Sequence, residues 1–228
     1  MTVVAALLAC GTAHAALQLE GNSGVFLNTL AGTLAQGKYE AATHYVDLNA
    51  AGTVSTFNLS AGLQNNIELG VTRLSTDVAG VSDQNIYLAK WNFGAENAQK
   101  PALSVWAQYR DLIDGANSTD YGVSATKTTT LLGYTTILDL GVRSTKAKGL
   151  GLFGYQADRE YKLEGAVAFV ATKNLVIGTE FKQMVDSRVW RDVCARYTLN
   201  SNLNIDAGYA NMGPGFDSQL AFAVTYSK

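Results

Sequence analysis

The sequence predicts an all-β protein, an antiparallel up-and-down transmembrane β-barrel of about 12 strands. Three observations predict it. From Lys38 onward, apolar and polar residues alternate in segments of about ten residues, the length and period of strands that cross a bilayer. The connections between them alternate between compact and longer ones, and aromatic residues gather at both ends of the apolar faces. A soluble sandwich would use the same alternation, with its oily face against a second sheet. Two features argue against it. Only 16% of the 228 residues are Asp, Glu, Lys or Arg, where a soluble domain carries about 25%. A sandwich also has no reason to place Tyr at both ends of an apolar face.

Residues 1–15, "MTVVAALLACGTAHA", are small and apolar, and Ala13-His14-Ala15 fits the small-residue site of a secretory leader. Cleavage there leaves Ala16 as the first residue and Cys194 as the remaining cysteine, so export brings no intrachain disulfide. The leader carries no Lys or Arg, so a start codon further upstream is an expectation of this reading. A rival reading is the lipobox-like Leu7-Leu8-Ala9-Cys10, which would put lipid on Cys10. No later stretch has the ~20 consecutive apolar residues that a spanning helix requires. If the chain enters a membrane, it does so as strands. A net charge of −2 without a Lys/Arg run gives no support for a nucleic-acid partner.

In chain order the predicted strands are 38–48, 53–63, 66–75, 84–94, 102–113, 119–129, 133–146, 159–172, 175–185, 190–199, 203–212 and 218–227. The compact connections are "LQNN", "ENAQKP", "TTTLLG", "TKN" and "LNSN". The others are "DVAGVSDQ", "DGANSTD", "KAKGLGLFGYQADRE", "VDSRV" and "MGPGFDS", longer or richer in Gly and Asp. Short periplasmic turns and longer external loops produce this pattern in an outer membrane. "NAAG" at 49–52 would then be an external loop of unusually small size. Outward faces carry Phe57, Leu59, Ala61 and Leu63, then Leu103, Val105, Ala107 and Tyr109, and finally Leu220, Phe222, Val224 and Tyr226. Residues 16–37 are not a convincing strand pair, and three roles stay open for them: an inner plug, a short helix or an extra strand.

Two aromatic girdles follow. The external one is Tyr45, Tyr109, Tyr121, Tyr161 and Tyr209, and the periplasmic one Phe93, Tyr134, Phe169, Tyr197 and Tyr226. Amphipathic rings favour such interfaces, with the ring in lipid and the hydroxyl toward headgroups. The opposite faces collect charge, and Arg110, Arg143, Lys162, Glu164, Glu180, Lys182, Arg196 and Asp206 are the candidate pore-lining residues. Arg196 opposite Asp206, or Glu164 near Lys182, could pair and fill a closed lumen, because unpaired charge away from water is costly. The same groups could instead line a water-filled path and set its selectivity.

Other motifs carry less. "GLGLFG" at 149–154 spells a dinucleotide loop, but a strand follows where such a site needs a helix. It reads as an external loop whose Leu150, Leu152 and Phe153 could meet the barrel mouth or a partner. His44 is the one histidine left after processing and falls on the inward face of its strand, which disfavours a lipid-facing hydrolase triad. One His and one Cys in separate segments do not make a zinc site, and no metal or other cofactor is expected.

At "STDYGVSATK" (118–127), "GVRSTKAKGLGLFGYQADR" (141–159) and "KLEGAVAFVATKNLVIGTEFK" (162–182), the chain resembles a family of bacterial exported proteins catalogued as domain of unknown function 3034. The likeness is clearest in the second half. It implies an outer-membrane barrel and no agreed activity. Such barrels usually end on an aromatic residue, whereas Ser227 and Lys228 follow Tyr226 here.

Together these readings lead to a narrow, porin-like outer-membrane channel for passive passage of small solutes or ions, surrounded by lipid. The alternative is a closed structural barrel whose loop 147–158 or N-terminal segment binds a protein partner or a second copy. An integral-membrane hydrolase using His44 is a minor third reading.

Overall fold

The computed structural model describes residues 16–112, 117–151, 154–185, 187–211 and 219–228. The leader with Cys10, the tip residues Leu152 and Phe153, and parts of the loops around 113–116, 186 and 212–218 lie outside the described residues. Two short strands, β1 (Ala16–Leu17) and β2 (Ser23–Gly24), pair with each other. The strands that follow are β3 (Tyr39–Asp47), β4 (Thr53–Leu63), β5 (Ile67–Thr76), β6 (Gln84–Gly94), β7 (Ala102–Leu112) and β8 (Asn117–Leu131). After them come β9 (Tyr134–Ala147), β10 (Tyr155–Thr172), β11 (Leu175–Gln183), β12 (Val189–Asn200), β13 (Leu203–Asn211) and β14 (Gln219–Ser227). Strands β3 to β14 form one closed antiparallel barrel in sequence order, and β14 returns to pair with β3 through Ala221↔Val46 to Ser227↔Glu40. Closure leaves no open edge, as a spanning sheet requires.

The predicted strands and the observed ones share their order, and their ends agree to within two residues except at the start of β10. β10 begins at Tyr155 rather than 159, because the chain irregularly rejoins β9 between Tyr155↔Ala147 and Glu160↔Thr145. The connection after β8 is tighter than "TTTLLG" suggests. The ladder runs out to Leu131↔Tyr134, and Leu132 (φ 53) and Gly133 (φ 83) alone make the turn. Two successive positive φ values match the twist of a two-residue hairpin. Leu in that conformation is an uncommon choice, so composition gave little hint of it. Asn49–Ala51 forms the small turn between β3 and β4.

Side chains distribute inside out. On the outer face Phe57, Leu220 and Val193 are more than half exposed, while Glu68 and Arg110 on the inner face are at 0%. All of the predicted girdle residues except Phe169 are among the exposed large apolar and aromatic side chains, and Phe169 is half-buried. Tyr39, Tyr87 and Trp91 are outward aromatics outside the predicted girdle set. Tyr87 stacks on Tyr109 across β6 and β7, with ring centroids 6.3 Å apart.

Residues 16–37 add no strand to the barrel. The segment enters at the short-turn end, where Gly37 N donates to Gly62 O and Gly62 N to Lys38 O, and runs up inside the ring. It lies flush on the wall there, since a Cβ at Gly62 would collide with the Leu34 and Ala35 carbonyls. Near the long-loop end Leu19, Phe26 and Leu27 pack with Val46, Leu48, Val54, Leu74, Met184 and Trp190 in one apolar cluster.

The outer face yields a stability prediction. Phe222→Arg places a charge in the middle of the lipid-facing side of β14, which costs about 2–4 kcal/mol near a bilayer midplane. Denaturant titration of folding into lipid vesicles should register that loss, whereas Phe222→Leu should stay near wild type.

Candidate functional site

Inward positions of the barrel strands other than β4 and β14 supply charge, and the inner segment supplies groups that meet it. Three anchor points hold the segment. At the first, the Glu180 carboxylate accepts three successive backbone amides: Phe26 N at 2.7 Å, Leu27 N at 3.2 and 3.1 Å, and Asn28 N at 2.7 Å. Consecutive N–H groups curled around an anion form a nest, and a carboxylate held this way makes charge-assisted bonds. Asn28 adds Nδ2 donations to Gly165 O and Phe181 O.

At the second, Glu68 accepts Ser23 N and Leu34 N, each at 2.9 Å, together with the Ser23 hydroxyl. Lys90, fully buried, lies 3.6 Å from Glu68 and donates to Ser23 O and Leu30 O. At the third, Glu20 bridges Arg110 and Lys182, the latter at 2.8 Å, and Lys182 also donates to Leu27 O.

The eight predicted lumen residues all project inward, but they divide by level. Arg110, Arg143, Glu164, Glu180, Lys182 and Asp206 are buried beneath the segment. Arg196 is part-buried and pairs with Asp206 at 2.7 Å across β12 and β13, while donating to Val25 O. Glu164 and Lys182 stand opposite each other on β10 and β11 at 3.5 Å. Lys162 lies nearer the long-loop end and pairs with Glu160 at 2.6 Å. Sequence reasoning missed Glu20, Lys90 and Asp120 as members of this network. Lys90 was legible, because Tyr87, Ala89, Trp91 and Phe93 make the outward face of β6. Glu20 was not, since nothing local says that a loop residue will reach across a barrel.

His44 faces the lumen, fully buried. Its Nε2 lies 3.0 Å from Leu17 O, its Nδ1 3.2 Å from Thr56 Oγ1, and Phe26 meets it edge-on with centroids 5.8 Å apart. These are contacts that seat the segment. Glu180, Asp192 and Cys194 bring one potential ligand atom each within 4.8 Å of one another, but both Glu180 oxygens are already engaged by the amides of 26–28.

A family model described as a protein of unknown function (DUF3034) matches residues 13–222. The chain belongs to this family. Among solved structures, this DUF3034 protein is similar to the KdgM porin in complex with disordered oligogalacturonate, at 13% identity and a TM-score of 0.63 over 83% of this chain and 98% of that one. It is also similar to the NanC porin, at 9% identity and a TM-score of 0.58 over 82% and 98%. Outer membrane phospholipase A from Escherichia coli is a third, at 8% identity and a TM-score of 0.50 over 94% and 98%. At these identities the likeness establishes the fold, an outer-membrane barrel. No curated protein matches the sequence.

If the Glu180 nest anchors the segment, Glu180→Ala removes charge-assisted bonds worth about 1.5–3 kcal/mol each. Amide exchange of residues 26–28 should then accelerate by at least about tenfold, which needs only ~1.4 kcal/mol, while exchange in the β10–β11 ladder stays slow.

Proposed function

We propose that this protein is an outer-membrane channel for passive passage of small solutes or ions, held closed by residues 16–37 acting as a plug. Residues 1–15 serve as its cleaved export leader, and membrane lipid covers its apolar outer face. Arg110, Arg143, Lys162, Glu164, Glu180, Lys182, Arg196 and Asp206 line the path and select by charge, with no covalent step. The observation that carries the reading is where the wall's charge is spent. A barrel built only for rigidity fills its interior with its own side chains, as barrels of about eight strands do. Here the ring is wide enough for a separate stretch of chain, joined to the wall at Lys38, and buried charges such as Glu180 and Lys182 bond to that stretch. Their contacts are hydrogen bonds and ion pairs, which water can replace when the stretch leaves. The KdgM porin in complex with oligogalacturonate is a barrel of the same fold with a charged solute, which supports selection by charge.

Conductance in planar lipid bilayers tests the reading, with insertion checked by protease protection. The refolded chain 16–228 should open rarely. A variant lacking 16–36 should open at least about tenfold more often, the change expected from removing even ~1.4 kcal/mol of seating. Gly62→Val, which leaves the barrel ladder intact but pushes on the plug backbone, should fall between them. Neutralising Arg143 or Lys182 in the open variant should shift its ion preference toward cations. Silence from every inserted variant would sink the channel reading.

A further inference from the structure

Five buried side chains on five consecutive strands form an arc around the lumen in which charge alternates: Arg110 on β7, Asp120 on β8, Arg143 on β9, Glu164 on β10 and Lys182 on β11. Neighbours along it approach to 3.4 Å (Arg110–Asp120), 4.0 Å (Arg143–Glu164) and 3.5 Å (Lys182–Glu164). An alternating arc that begins and ends on a cation carries one positive charge too many. Other wall carboxylates face the same lumen, Glu180 and Asp192 among them, but the one that bridges the two ends of the arc is Glu20 of the inner segment. One of its oxygens meets Arg110 Nη2 and the other meets Lys182 Nζ at 2.8 Å, so a single carboxylate spans from β7 to β11. At the middle of the arc Arg143 donates through Nη2 to Gln183 O at 2.9 Å, while its buried Nε has no hydrogen-bond partner among the described residues.

We propose that the Arg110–Arg143–Lys182 arc is a binding site for the carboxylate of a small solute and that Glu20 occupies it in the closed form as an internal competitor. The inference rests on the channel reading and names the solute chemistry. The two oxygens of a carboxylate reproduce the two contacts of Glu20, and Arg143 Nε offers a further donor. A neutral sugar brings no charge to the arc. Burying these cations without an anion is costly, so solute entry and departure of the segment are coupled: each carboxylate makes room for the other.

Glucuronate and glucose, which differ in one carboxylate, are the probes. In detergent micelles, calorimetric titration of the refolded chain 16–228 should give glucuronate binding that tightens about tenfold or more in Glu20→Gln, because a competitor lowers apparent affinity by the fraction of sites it holds. Adding Lys182→Gln should abolish the gain, and glucose should bind neither protein. Should Glu20→Gln fail to fold, the unaltered chain gives a second reading: glucuronate, and not glucose, should speed amide exchange across residues 17–30. Equal glucuronate affinity in both proteins, equal binding of glucose, or exchange that glucuronate leaves unchanged would overturn the proposal. Neither readout needs a current. Binding without conduction would therefore remove the channel reading and keep the site, and conduction without binding would do the reverse.

Discussion

In a membrane, every backbone N–H and C=O of a sheet must find its partner within the sheet, since lipid offers none. In this chain that requirement is met where β14 turns back onto β3, seven residues paired with seven. Much else depends on this seam. A closed ring of antiparallel strands with both chain ends on the same side has an even number of members. Its period-two side chains divide between a face that meets lipid and a face that meets the lumen. Once Phe57, Leu220 and Phe222 are committed to lipid, the charges on the alternate positions have nowhere to go but in.

Inward charge creates the second constraint. Fully buried cations such as Lys90, Arg110 and Lys182 need partners. Some come from neighbouring strands, as Arg196 finds Asp206. Others come from the N-terminal segment, which offers backbone amides to Glu180 and Glu68, carbonyls to Lys90 and Lys182, and a carboxylate to Arg110. The segment has little regular structure of its own, the pairing of Ala16–Leu17 with Ser23–Gly24 and one bridge between Gly24 and Thr29. Its backbone groups are divided between turns within the segment, such as Leu19 N to Phe26 O and Leu30 N to Ser23 O, and side chains of the wall. An apolar cap of Leu19, Phe26 and Leu27 completes the packing near the long-loop end.

The groups that first suggest enzymology take part in the same arrangement. His44 meets a carbonyl of the segment, a threonine hydroxyl and a phenylalanine edge. Cys194 lies within 3.6 Å of the Glu180 carboxylate that holds the nest. Both are buried, and neither is presented to lipid.

Strand number, the approximate strand ends and the direction of each face, including the outward exposure of most of the aromatic residues, could be read from the sequence, because each follows from local alternation and from turn residues a few positions apart. The pairings Arg196–Asp206 and Glu164–Lys182 were also within reach, since they join adjacent strands. The tight turn at Leu132 was not, because Leu rarely takes a positive φ. What only the tertiary structure decided is the lumen. Whether residues 16–37 fill it, which amides close on Glu180, and that Glu20 meets Arg110 and Lys182 are matters of contact between groups as many as 162 positions apart. Alternation records which side of a strand a residue faces; it carries no record of what will be waiting there.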